Sequence, residues 1–324
     1  VTKTLIAITQ RADDLEFVTK VAQTAQLTVK QPADMDAAMA LIDSEDAPVL
    51  FIDASAAADY SRFESAIQEK FGLFSSKIAA NRIHFLSSDD IDRVPHLMAS
   101  PIFGSYLRRN YTQAAGVGER YGRIIRASLL ERAFGIDQLI KPGTRIQTIK
   151  LTNSKQKQEA VEVVRNYLVA LKFQSRMATL IANSVDELLM NAIYDAPTDA
   201  TGKHIYVSTP RNTEFELKDK ASVELHVAFD GEVVALTAVD LFGSLEKAKL
   251  LGAISKIYRE QEYRVRATVA GAGIGLATVF QTGGSFHFAS DHGARTEVTV
   301  FFRKTENFKE FKNQFRFIST QFYF

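Results

Sequence analysis

The stretch Ser184-Val185-Asp186-Glu187-Leu188-Leu189-Met190-Asn191-Ala192 decides how the second half of this 324-residue chain is read. With Met177, Leu180 and Ile181 upstream, its apolar residues recur at three- and four-residue steps, which predicts an amphipathic helix. Asn183, Glu187, Asn191 and Tyr194 keep the same spacing and share a second, polar stripe. A carboxylate one turn from a carboxamide suits chemistry at a divalent cation, because Asn offers a hard oxygen and Glu can accept a proton. A solvated helix face gives the same pattern, so the pair alone decides little.

Three later stretches add to it. Residues 233–240 read as a strand that ends in Asp240-Leu241-Phe242-Gly243-Ser244. Gly271-Ala272-Gly273-Ile274-Gly275-Leu276 is a glycine-rich turn, and Gly293-Ala294-Arg295-Thr296 opens a last strand that reaches Phe302. In this order, over residues 144–304, the chain resembles the GHKL ATPases (Bergerat fold, histidine-kinase-like), a superfamily that holds gyrase, heat-shock chaperone, sensor histidine kinase and mismatch-repair ATP sites. The strand and two helices before the Glu187–Asn191 motif are most similar in layout to anti-sigma-factor serine kinases.

The resemblance implies ATP and Mg2+ as ligands. Glu187 would activate water or a substrate hydroxyl, and Asn191 would ligate the metal. Asp240 would accept the adenine amino proton, since a buried carboxylate needs such a donor. Gly243 would let the base approach the backbone, and Thr296 would add a hydroxyl nearby. Gly271, Gly273 and Gly275 would turn amides toward the phosphates. Arg264 and Arg266, in a lid over residues 244–270, would either meet the terminal phosphate or be solvated as exposed lid charges. The first glycine box departs from the pattern, with Gly243 alone where two glycines are usual. Asp195 stands four residues after Asn191, one later than the aspartate of the chaperone branch, and is not assigned to adenine.

Residues 1–112 alternate apolar runs and helices: strands at 4–9, 48–52, 82–86 and 102–107, with a helix at 13–27. That alternation predicts a doubly wound parallel α/β sheet, and Asp53 ends a strand where such folds bind ligands. The layout looks like a response-regulator receiver whose phosphoacceptor position is Asp53, with Ser87 or Ser88 after the fourth strand. Gln10 and Arg11 stand where the family has its acidic pair, Asp13 and Asp14 come too late, inside the helix, and Arg108 and Arg109 are the nearest cations to the missing lysine. A pseudo-receiver is the expectation.

Residues 118–140 are expected to form one long linker helix within 113–143, its stripe of Tyr121, Ile125, Leu129, Ala133, Ile136 and Ile140 packing on its own chain or forming a homodimer seam. None of the six histidines falls between residues 97 and 203, where a histidine kinase would carry its phosphoacceptor. His226 and His287 take outward strand positions and are expected to be solvated. Further strands are expected at 145–151, 204–208 and 223–229, giving with helix 159–171 an α+β sandwich on a mixed sheet over 144–305. The aromatic tail, 306–324, is expected to fold back on the body, with a partner-binding or strand-swapping segment as the alternative.

Net charge is +1 with 24% charged and 46% hydrophobic residues, which gives no field for nucleic acid or anionic membrane. There are no cysteines, so disulfide and thiolate chemistry are excluded. No apolar run is long enough to span a bilayer and no signal peptide is visible, so a cytoplasmic location is expected. The expected function is that of a signalling protein, related to two-component systems, in which the pseudo-receiver regulates a Mg-ATP-binding domain acting on a protein partner as a serine/threonine kinase, ATPase or switch. A nucleotide-gated binding module and a divergent histidine kinase are the alternatives.

Overall fold

The computed structural model describes residues 3–72, 77–111, 116–130, 134–252, 276, 279–280 and 282–323. The chain divides into two compact units, Val1–Phe134 with Phe315–Gln321, and Gly135–Gln314 with Phe322–Phe324.

The first unit runs β1 (Thr4–Ile8), α1 (Ala12–Ala25), β2 (Thr28–Lys30), α2 (Met35–Ser44), β3 (Val49–Asp53), α3 (Ala57–Lys70), β4 (Ile83–Ser87), α4 (Pro95–Met98), β5 (Ser105–Arg108) and α5 (Val117–Ser128). The strands are parallel in the order β2-β1-β3-β4-β5. β1, β3 and β4 are near-continuous apolar runs, as strands buried on both faces require. β2, only three residues long and not apolar, had no expectation attached to it. The tail adds β11 (Arg316–Tyr323), antiparallel to β5 with Phe317 opposite Leu107 and Ser319 opposite Ser105.

The expected helix over 118–140 is not formed. α5 ends at Ser128, and a single 3-10 turn covers Ile136–Gln138. Gly135, at φ +98, takes a conformation that no residue inside an α-helix adopts. Tyr121 and Ile125 are buried within the first unit, where α5 packs on α1. A Cβ at Gly118 or Gly122 would press on Lys20 or Thr24, so these glycines set the helix spacing. Ala133 of the stripe lies outside the described residues.

The second unit holds β6 (Ile146–Leu151), α6 (Gln156–Ala170), α7 (Ser175–Met190), β7 (Val223–Phe229), β8 (Val233–Asp240), β9 (Ser285–Asp291) and β10 (Arg295–Arg303). Neighbouring strands in the order β9-β10-β8-β7-β6 are all antiparallel, which corrects the expected mixed sheet. α7 lies on β8 and β10, and α6 packs on α7 and β6. Residues 204–208 form no strand: His204 makes one isolated bridge to Thr198, and Ile205 and Val207 are exposed. His287 is buried, as is every residue of β9, so the assumption of one wet strand face failed there.

Candidate functional site

α7 forms because Met177, Ile181, Val185, Leu188 and Leu189 give it one buried face. It does not stop at Met190. Asn191–Asp195 continue it as a π turn, closed by the Ala196 amide donating to the Asn191 carbonyl at 2.9 Å, and Pro197 prevents further helix. Asn191 therefore sits at a change of helical pitch, and the turn lies against β8.

Glu187 is half-buried one α-turn earlier. Burial pushes its carboxyl above the ordinary glutamate value, and the charges of Asp186 and Asp195 push the same way against Lys157. Lys157 of α6 is ion-paired with Asp186. Asp195 is likewise raised by burial, against Arg211 at 3.3 Å.

At the end of β8, Asp240 is buried directly opposite Thr296 on β10. Its Oδ1 accepts the Phe242 amide at 2.9 Å and the Gly243 amide at 3.4 Å, a local turn that fixes the carboxylate. Burial raises its pKa to about 6, with those amides, Thr296 and Lys220 working the other way. Lys220, not singled out from the sequence, lies over the Phe242 ring and donates to the Gly293 carbonyl. The Thr296 hydroxyl is buried and makes no well-formed hydrogen bond among the described residues, although it lies close enough to Asp240 to favour the carboxylate charge. Together with the desolvated carboxylate, this weakly bonded buried hydroxyl offers two adjacent polar groups that a ligand could engage.

Gly243 has φ +60, and a Cβ there would run into the Asp291 carbonyl oxygen. Its glycine identity is thus accounted for by close approach of the β9–β10 turn, whose Gly293 amide donates to the Gly243 carbonyl at 3.3 Å. Ser244 donates to the Ala196 carbonyl at 2.7 Å and ties the end of the Asp240 loop to the π turn. Gly271, Gly273, Gly275, Arg264 and Arg266 lie outside the described residues.

The first unit carries its own cluster. Arg109, just after β5, donates from Nε and Nη2 to the two oxygens of Asp14, each at 2.7 Å, and from Nη2 to Asp53 Oδ1 at 2.8 Å. Nη1 reaches the Ser55 hydroxyl, and Thr9 and Tyr111 donate to Asp14 at 2.7 and 3.0 Å. Burial works against the Asp53 charge, but Arg109 and Ser55 outweigh it and hold the carboxyl below the ordinary value. Asp13 and Asp14 lie in the first turn of α1, and because helix side chains lean toward their amino end, Asp14 reaches the strand ends.

Among the described residues no group of three or more His, Cys, Asp and Glu could hold a metal ion, and no helix is long and apolar enough to cross a membrane. In comparisons with known proteins, no family model matches the chain and no curated protein matches it.

Proposed function

We propose that the second unit binds ATP with Mg2+ in the manner of a GHKL domain and acts on a protein partner as a kinase or switch in cytoplasmic signalling. The observation that carries this reading is the Asp240–Thr296 pair: a desolvated carboxylate and a buried hydroxyl without a well-formed hydrogen bond, held opposite each other on adjacent strands. An adenine amino group would add a donor to the carboxylate beyond the Phe242 and Gly243 amides and would give the hydroxyl a neighbour to bond. Asn191 would hold Mg2+ beside the phosphates, with the remaining ligands from phosphate oxygens and water, as is usual for this ion. When bound, Mg-ATP supplies the transferable phosphoryl group. The raised pKa of Glu187 favours a kinase or ATPase over a passive module, because a carboxylate moved toward neutrality is a better proton acceptor.

The first unit is read as a pseudo-receiver. In support, its strand order is that of the flavodoxin-like doubly wound sheets, and the cation beside Asp53 is Arg109.

Calorimetry with ATP, ADP and Mg2+ tests the nucleotide reading. Asp240→Asn should cost on the order of 1–3 kcal/mol of binding, since an amide presents a donor to a donor. No binding by the wild type, or unchanged binding by the variant, removes the reading. Glu187→Ala then separates kinase from module: a kinase keeps ATP and partner binding but loses labelling of the partner, whereas a module is unaffected.

A further inference from the structure

The segment that follows the π turn brings Arg211 back against it. Arg211 Nη2 donates to Asp195 Oδ1 at 3.3 Å, the guanidinium lies 4.4 Å from the centre of the Tyr194 ring, and the Tyr194 hydroxyl donates to the Arg211 carbonyl at 3.1 Å. Tyr194 and Asp195 both belong to the turn that begins at Asn191, so these contacts anchor Arg211 at the same helix end.

They leave most of its donors unused. A guanidinium carries five N–H donors in a plane, and the single long bond to Asp195 is not the two-pronged contact that an arginine makes with a carboxylate it is built to neutralise. Nη1 is buried and has no hydrogen-bond partner among the described residues. Nδ1 of His204, which acts electrostatically on Asp195, is also buried without one. A buried guanidinium nitrogen left without an acceptor, on an arginine whose one side-chain bond to a carboxylate is long, calls for an acceptor with several oxygens. A planar guanidinium fork fits phosphate oxygens in that way.

We propose that Arg211 binds the terminal phosphate group of a nucleoside triphosphate and that it makes the site discriminate ATP from ADP. The proposal rests on the nucleotide reading above. It assigns the contact to a residue held by the π turn rather than to the lid arginines.

The test is calorimetric titration of the full chain with ATP and ADP at fixed Mg2+, for wild type, Arg211→Ala and Arg211→Lys, with thermal melts as the folding check. Arg211→Ala should weaken ATP tenfold or more and leave ADP within about twofold, while Arg211→Lys, which keeps the charge and loses the fork, falls between. On the wild type, ATP but not ADP should protect Arg211 from phenylglyoxal, read by peptide mass spectrometry, so the result does not depend on a variant that folds. Unchanged ATP binding by Arg211→Ala, equal losses for ATP and ADP, or no ATP protection overturns the proposal while an Asp240-dependent ADP affinity leaves the nucleotide reading standing. If the wild type binds neither nucleotide, that reading falls. Inorganic pyrophosphate then decides: Arg211-dependent binding keeps the residue as an oxyanion ligand, and no binding overturns it.

Discussion

Arg109 grips Asp14, ninety-five residues earlier in the chain, with two parallel 2.7 Å bonds, and the same guanidinium reaches Asp53 at 2.8 Å. Asp14 is fully buried and Arg109 nearly so. The cation beside Asp53 is thus a side chain already saturated with acceptors. Asp53 should gain no stable adduct with acetyl phosphate, and a near-stoichiometric, Asp53-dependent mass increase would disprove this. Arg109→Ala leaves Asp14 buried without its counter-ion and should destabilise the first unit by roughly 3–5 kcal/mol, read by urea denaturation. Arg109→Lys should recover only part of that, because an ammonium cannot span both carboxylates.

Asp240→Asn should have opposite effects on folding and on binding. With its pKa raised from 3.8 to about 6, the carboxyl is ionised at neutral pH only against its surroundings. Between those two values the folded state binds the proton and the unfolded state does not, so the penalty is absent in acid and fully present above about pH 6. Asn keeps an acceptor for the Phe242 and Gly243 amides and carries no charge. At pH 7.5 the ligand-free variant should be more stable by on the order of 1–2 kcal/mol, even as nucleotide affinity falls. Nucleotide affinity of the wild type should also fall as pH drops below about 6. A destabilised variant would mean that the carboxylate has a partner other than ligand.

How much of this was legible beforehand differs between elements. Helix α7, β8 and the Asp240 turn follow from local periodicity and an aspartate that caps its own loop, both properties of adjacent residues. β11 does not: Phe317, Phe322 and Tyr323 read as part of an aromatic tail because nothing in their own segment says that β5 lacks a neighbour. The pairing of Asp14 with Arg109 depends on the direction in which a helix projects its side chains, which sequence spacing alone does not give. The fold of 118–140 was misread because its apolar stripe continued past Gly135, and a periodicity count weighs one glycine lightly. Arg211 lies on a segment without regular structure, so no period marked it.

The tail is expected to be part of the folding unit of the N-terminal sheet. Phe317 packs edge-on against Tyr121 with ring centres 5.1 Å apart, Ser105 donates to Ser319 at 3.3 Å, and Arg316 donates to Asp90 at 2.5 Å. Ending the chain after Gln314 removes a strand whose residues 316–321 are buried. Hydrogen exchange in α1, α5 and β5 should rise sharply in the truncated protein. Unchanged protection there would show that the first unit folds without β11.

Acid should open the first unit before the second. His84 on β4 is buried beside Phe51, with Nδ1 2.9 Å from the Tyr121 hydroxyl, and burial lowers its pKa from 6.5 to about 3. Below pH 6.5 the unfolded chain gains a proton that the folded one refuses, so stability is lost as pH falls, by up to about 1.4 kcal/mol per pH unit down to about pH 3. Asp53, with its folded pKa held below 3.8, adds a loss in the same direction once the pH falls past that value. In the second unit Asp240 works the other way between about pH 6 and 3.8, where protonation relieves its burial. Hydrogen exchange followed by mass spectrometry through a pH series, corrected for intrinsic rates, should show peptides of β1, β3 and β4 losing protection at a higher pH than those of β8 and β10. His84→Gln, which has no group to titrate, should shift that opening to lower pH. If β8 and β10 open first, or if the His84 imidazole titrates near pH 6.5 by NMR, burial of His84 is not what sets the acid limit of the first unit.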